Sequence, residues 1–571
     1  MTEDCDRLDS DVLVIGSGAA GMAAALAAAA AGARVILADR SLIGRSGATI
    51  MAQMTVAVAL GEETPDHWEH HLADTLAAGR GLCDAGLAAL VCEHGPAAIR
   101  QLDEWNVGWA RKPDGSIRQT QAPGHDRPRC VYVDFLSTGP AVAKTMRGRV
   151  LRQEAITRIG DLCVTDLVTA GRPRTGAVTG AVTGAVGFSV ASGRAVRLAA
   201  LAVVLATGGV TRLYRRNSAS ANMGGDGHAL ALRAGAELMD MEFVQFFPIG
   251  HLAPRLVGMD PIMWDPFRYK LGGRLLNADM REFVNDYGND EAAQYNVTRD
   301  RATHAILGEV KAGRGTPAGG AYLSFQHIAP DALRAAFGPV IDKLAANGID
   351  LASMPVEVSP IAHYHMGGVR VDRRMQTGVA NLYAAGEVVA GANGANRLSG
   401  NAITEALVFG RIAGEQAAAR AQRTAAMLDH GDVSLVQSRG GRPPVNLAGA
   451  IAALQAVMAD QVGPFRSRAG LLQAQAEIGR LRAQLGEVPP GVPGPYDLER
   501  LDWFDLRAML LVAETITAAA LARQKSRGAH QREDFPALDA AWAMHQTAAL
   551  DGAGLVLGRA DVQAGRLAAV A

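Results

Sequence analysis

The sequence is poor in cysteine: Cys5, Cys83, Cys92, Cys130 and Cys163 are all that 571 residues contain. The number is odd, and no two of them form a CxxC or CxxCH motif. That argues against a disulfide framework, an iron–sulfur cluster held by this chain and an attached c-type haem. The simplest compartment for such a chain is reducing and cytoplasmic, and no metal site is expected. A charge excess is also lacking. The 56 Lys+Arg against 57 Asp+Glu leave a formal net charge of −1, which gives no electrostatic footprint for nucleic acid or an anionic membrane. The N-terminus, MTEDCDRLDSD, has neither the basic nor the apolar region of a signal peptide. The run AAGMAAALAAAAAG at 19–32 is too short and too rich in alanine and glycine to read as a transmembrane segment.

What is present fits a soluble globular protein, with 49% hydrophobic and 20% charged residues. The length implies more than one core, since domains usually run to roughly 100–200 residues. Near the start, DVLVI at 11–15 reads as a strand, GSGAAG at 16–21 as a turn, the alanine run as a helix, and RVILAD as a second strand ending at Asp39. GxGxxG alone is a weak signal. In this strand–turn–helix–strand setting it reads as a dinucleotide site. The glycines permit a tight turn and close approach of a pyrophosphate, the helix N-terminus offers N–H groups, and the acid takes ribose hydroxyls. The fingerprint does not choose between FAD and NAD. No second GxGxxG stands in a βαβ setting, so a separate nicotinamide site is not expected.

Farther on, AVGFSVASGRAVRLAALAVVLATGG reads as a hairpin-like pair turning at ASGR, followed by an apolar strand that ends in Ala206, Thr207 and Gly208. The small repeat TGAVTGAVTGAV before it is too short for a solenoid and reads as a lengthened strand or loop. From about 236 to 350 the chain holds most of its aromatic and charged clusters. It then returns to strand-like runs, with a glycine-rich loop and a long helix. Past about 430 the pattern is helical, broken by EVPPGVPGPYD at 487–497.

In order along the chain stand VIGSGAAGMAAAL, GRSGATIMAQ, HLADTLAAGRGLCD, VVLATGG, GGDGHALALRAGAELMDMEFVQF, TRDRATHAI, AHYHMGGV, GEVVAGANGANRLSGNAITEALVFGR and SRGAHQREDFP. This combination resembles the flavoprotein family of succinate dehydrogenase, fumarate reductase and L-aspartate oxidase, and more distantly the flavin subunit of adenylylsulfate reductase. The resemblance spans nearly the whole chain. It implies an α/β fold with a Rossmann-like FAD-binding domain at 1–235 and 351–430. An α+β capping domain at 236–350 would interrupt it, and a C-terminal helical domain at 431–571 would follow. It implies FAD contacts at Gly16, Gly18, Ala19, Ala20, Gly21, Asp39 and Arg40. Further contacts fall at Ser46, Gly47, Thr49 and Gln53, at Ala206, Thr207 and Gly208, and at Asp226, Glu387, Asn401 and Ile403. Membrane-attached relatives bond FAD covalently through a histidine in the RSH position. Here that loop reads RSGAT with Gly47, so FAD is expected to be non-covalent and less oxidising.

The same resemblance implies hydride exchange between flavin N5 and a carbon next to a carboxylate. Arg299 matches the proton-transferring arginine, with Asp265 and Arg268 as its relay. His363 and Arg397 match the pair that grips the substrate carboxylate, a task that suits the fork of an arginine. His365 replaces the usual threonine, as either a polar contact or a packing change. In the C4-dicarboxylate enzymes a histidine stands at the Phe247 position and a threonine at the Trp264 position, and both serve the second carboxylate. Burying a carboxylate against two aromatic rings without donors costs several kcal/mol. The expected substrate is therefore a carboxylic acid with an apolar or aromatic distal end. The alternatives are that both rings turn into the core and His251 serves a dicarboxylate, as in an L-aspartate oxidase or soluble fumarate reductase. With no redox centre beyond the flavin, electrons must pass to oxygen, a small carrier or a ferredoxin-like partner subunit.

Overall fold

A computed structural model of the chain describes residues 5–134, 136–170, 180–256, 262–264, 271–287, 299–424, 431–441, 446–552 and 554–562. They form two units. One runs to Arg215 and adds Ala219–Val244 and the chain from Tyr364 onward; the other comprises Arg216–Ser218 and Gln245–His363.

In the first unit the strand Cys5–Ile15 is the middle of a seven-stranded sheet. It pairs in parallel with Val35–Ala38 on one side and with Ala195–Leu205 on the other. Its first half is polar, and only pairing reveals it as strand: Cys5 lies opposite Ala195 and Ser10 opposite Ala200. The hairpin turn at ASGR is present, but its second arm and the apolar run after it form one strand of 11 residues. Nothing in LAAL breaks it. The first half of that strand pairs antiparallel with Ala181–Ser189, and its end pairs in parallel with Leu382–Ala384.

The alanine run folds as the helix Ala19–Ala30 and packs on the long helix Asn401–Ala421. Small residues bring the two backbones together. A Cβ at Gly410 would stand 2.3 Å from the Ala20 carbonyl oxygen, and one at Gly414 2.2 Å from that of Ala24. The run is therefore a buried helix of the core. Among the described residues no helix is long and apolar enough to cross a membrane.

Beyond residue 446 come the helices Leu447–Gln461, Arg468–Leu485 and Leu498–Ala522. Asn446, Ser467 and Asp497 accept backbone N–H groups at their starts. The Pro/Gly stretch at 487–497 separates the last two. A hairpin follows, Met544–Asp551 with Gly554–Asp561, and its first strand pairs antiparallel with Leu238–Met239.

The second unit holds a four-stranded sheet in the order Val244–Ala253, Val356–His365, Ala321–Ser324, Arg274–Leu276. An aromatic core packs within this unit, with the Trp264 ring 6.1 Å from Phe325 and 5.9 Å from Phe337.

Candidate active site

The turn after the first strand is built by close backbone approach. Gly16 has φ +103°, and a Cβ there would lie 2.3 Å from the carbonyl oxygen of Ala206. A Cβ on Gly21 would lie 1.8 Å from the Gly16 carbonyl oxygen. Gly18 caps the helix Ala19–Ala30 without a side chain, and the Thr49 hydroxyl oxygen accepts the Ala19 N–H at 3.0 Å. Ala20 packs at the same helix start. Thr207, followed by Gly208 at φ +76°, carries a buried hydroxyl with no hydrogen-bond partner. This cradle of glycine backbone and a helix N-terminus fits the pyrophosphate of a dinucleotide.

Asp39 is 8% exposed. Its Oδ2 accepts from Ser17 N (2.8 Å) and Oγ (2.6 Å), and its Oδ1 from Ser41 N and Oγ (both 2.9 Å). The carboxylate thus ties the glycine turn to the loop after the second strand. Ser46 joins the same group through Ser41 Oγ at 2.7 Å. Gly47 has φ +81° with open space where a Cβ would be, and its N–H donates to Ser220 Oγ at 2.9 Å. Gln53 and Ile403 are buried.

Arg40 and Asp226 are partners of each other. Arg40 donates to Asp226 Oδ2 at 3.1 Å and to Asp505 Oδ2 at 2.9 Å, and Arg212 donates to Asp505 at 2.5 Å. Burial opposes ionisation of Asp505, but the two guanidinium groups hold it below the usual carboxylate range. Burial dominates at Asp226 and raises it. Asn401 is likewise engaged: its Oδ1 lies 2.8 Å from His71 Nε2, and its Nδ2 donates to Thr75 Oγ1 at 3.1 Å. These contacts anchor the start of the long helix. Asp505 and Ser41 lie in no motif of the sequence, and Ser17 and His71 lie within quoted motifs without being singled out there.

Two carboxyl groups flank Arg397. Burial pushes Glu387 up to about 8, against the opposing His365 N–H and the Arg397 charge. Burial pushes Glu405 up to about 7, against bonds from Tyr364 and Asn393. His365 is fully buried; its Nε2 lies 3.1 Å from the Met241 carbonyl oxygen, and burial lowers it to about 4. It therefore packs as a neutral ring against main chain. The sign for Glu405 is the reverse of a usual salt-bridged acid. The folded protein retains a proton that the unfolded chain releases above about 4.3, so this group's contribution to stability falls as pH rises to about 7. Glu405→Gln should be near neutral at about pH 4, below the unfolded value. By pH 8 it should be more stable than the parent by up to about 3 kcal/mol. Denaturant midpoints of both proteins across that range check this.

In the second unit, His363 Nδ1 lies 2.7 Å from Ser218 Oγ. Phe247 is 3% exposed and meets the His363 ring edge-on, with centroids 5.6 Å apart at 61°. Trp264 is fully buried in the aromatic core, and its Nε1–H donates to His251 Nδ1 at 3.2 Å. His251 must then carry its own proton on Nε2, which lies 2.5 Å from the Pro254 carbonyl oxygen. Both of its ring nitrogens are used within the fold. Arg299 opens the helix Arg299–Lys311. Asp265 and Arg268 lie outside the described residues.

The family model described as FAD binding domain matches residues 11–403, and that described as fumarate reductase flavoprotein C-term matches 451–568. One subunit of the fumarate reductase (CoM/CoB) from Methanothermobacter marburgensis is 33% identical over 548 residues, covering 94% of this chain and 97% of its own. The L-aspartate oxidase of Streptomyces coelicolor is 35% identical over 546 residues, covering 94% and 90%. Among solved structures, a variant of the E. coli quinol fumarate reductase FrdA superposes with a TM-score of 0.88 at 30% identity, covering 98% of each chain. The adenylylsulfate reductase of Archaeoglobus fulgidus shares the fold, with a TM-score of 0.75 at 20% identity over 98% and 96%.

Proposed function

The chain belongs to the FAD-dependent oxidoreductase family of succinate dehydrogenase, fumarate reductase and L-aspartate oxidase, and on that premise we propose that it oxidises or reduces a carboxylic acid with an apolar or aromatic distal end. Bound FAD supplies or accepts the hydride. The side chains do the rest. Arg397 and His363 bind the carboxylate next to the reacting carbon, and Ser218 Oγ, 2.7 Å from His363 Nδ1, orients the ring. Arg299 gives or takes the proton at the neighbouring carbon, relayed by Asp265 and Arg268.

The observation that carries the substrate reading is Phe247, whose ring lies against His363. The Phe247 ring itself offers an ionised distal carboxylate no donor in exchange for its hydration, whereas an apolar tail gains about 25 cal/mol per Å² buried. His251, one residue that could serve a dicarboxylate, has both ring nitrogens engaged by Trp264 and Pro254. Trp264 belongs to the core and drops out of the specificity wall, which rests on Phe247 alone. Phe247→His should gain turnover of C4-dicarboxylates and lose it on aryl-tailed acids. A variant that gained no dicarboxylate turnover would count against this reading.

FAD is held without a covalent bond in this proposal, since Gly47 has no side chain to form one. Acid precipitation should leave all flavin in the supernatant; flavin retained in the washed pellet would contradict it. Several relatives carry the name of subunits, which supports a separate electron-transfer partner of ferredoxin type. A cytoplasmic location is part of the same reading.

A further inference from the structure

Arg397 does not stand alone on its loop. Its guanidinium carbon lies 4.5 Å from the centroid of the Tyr364 ring. Tyr364 is 4% exposed and Arg397 5%, so the contact is dry, the condition in which a cation over an aromatic face is most strongly attracted. The Tyr364 hydroxyl donates to Glu405 Oε2 at 2.8 Å, and Asn393 Nδ2 donates to the same oxygen at 2.7 Å. Glu405 Oε1 is buried without a hydrogen-bond partner. All four residues belong to the first unit.

The hydroxyl bond has two consequences. It fixes the plane of the ring, and donation to the Glu405 carboxyl oxygen enriches the ring in electron density toward the cation. A guanidinium lying on a ring face keeps its donors at its edge, because they all lie in its plane. That edge is what forks a carboxylate with two parallel hydrogen bonds. A leucine would fill the same space but would offer no cation face.

We propose that Tyr364 is a positioning residue for Arg397: its ring, anchored through the hydroxyl to Glu405, holds the guanidinium in the plane from which it grips the substrate carboxylate. This rests on the reading of Arg397 as a carboxylate ligand.

The test uses the FAD-loaded full chain, with malonate and phenylacetate as probes and calorimetric dissociation constants as the readout. Flavin content and melting temperature report whether each variant is intact. Tyr364→Leu should weaken the better-bound probe by about 10- to 30-fold. Tyr364→Phe keeps the ring and should weaken it by no more than about 3-fold. In an Arg397→Lys background, Tyr364→Leu should cost less than about 3-fold more, since an ammonium has no plane to orient. If Arg397→Lys alone leaves affinity unchanged, or the parent binds neither probe, the reading of Arg397 fails and the proposal falls with it. If Arg397→Lys weakens binding but Tyr364→Leu binds like the parent, the positioning role alone is overturned. Should Tyr364→Leu not accumulate as FAD-loaded protein, Tyr364→Met takes its place with the same two outcomes.

Discussion

Gly21→Ala should purify almost free of FAD, with cofactor affinity reduced by about 100-fold or more, equivalent to about 3 kcal/mol. The reason is spatial. The added methyl carbon would stand 1.8 Å from the Gly16 carbonyl oxygen and 2.8 Å from its carbon. Neither is the end of a flexible side chain. The turn itself must move, and Gly16 is already pressed against Ala206 on its other side. Gly32→Ala is the control. Gly32 has φ +87° with nothing within 4 Å of a Cβ, so it costs only the strain of a left-handed residue, about 1 kcal/mol. It should keep its flavin. Flavin-to-protein ratios after gel filtration, followed by reconstitution titrations, distinguish the two. A Gly21→Ala protein with full flavin would show that the turn does not hold the cofactor.

Arg523→Ala should destabilise the first unit by about 3–5 kcal/mol, which would be among the larger single-residue losses in this chain. Arg523 is fully buried. It pairs with Glu242 through Nε and with Asp240 at 3.4 Å, and its guanidinium carbon lies 5.0 Å from the Phe243 ring centroid. Gln546 donates to Glu242 at 2.8 Å, and His545 Nδ1 lies 2.5 Å from Asp240. Burial works against a charged His545, but the hydrogen bond and charge of Asp240 outweigh it and raise its pKa. Removing Arg523 leaves two buried acids with one cation between them. Arg523→Met combined with Glu242→Leu should recover much of the loss, because the cost lies in the stranded charge rather than in the missing contact. Thermal melts of the single and double variants check this. A loss below about 1 kcal/mol for the single variant would mean that water already shares the cluster.

Legibility in the sequence followed how local each feature is. The glycine turn, the helix after it and the strand ending at Asp39 were readable because period, spacing and turn residues all sit within 30 positions. The helix Asn401–Ala421 and the break at 487–497 were readable for the same reason. Residues 5–10 were not, because a polar hexapeptide becomes strand only by lying beside Ala195–Ala200. The C-terminal hairpin had a signal, Asp551-Gly552 between alternating runs, that the helical composition around it concealed. Asp39 was legible as an acid at a strand end, but its four bonds to Ser17 and Ser41 were not. Arg40 and Asp226, 186 positions apart, meet directly, with Asp505 as a second partner of Arg40, and only the fold shows it. Phe247 and Trp264 look alike as aromatic replacements in the text. Packing separates them, one against His363 and the other within a core of rings.

The most direct measurement is an anaerobic titration of the FAD-loaded protein, following flavin absorbance as candidate acids are added. One set holds succinate, aspartate and malate; the other holds saturated acids with aryl or branched tails, and reduced protein is challenged with the matching unsaturated acids. Electron exchange with the apolar-tailed set alone is the predicted result and would make Phe247 the wall of the substrate site. Exchange with the C4 acids would contradict it, placing this chain among the dicarboxylate enzymes and Phe247 among its packing residues.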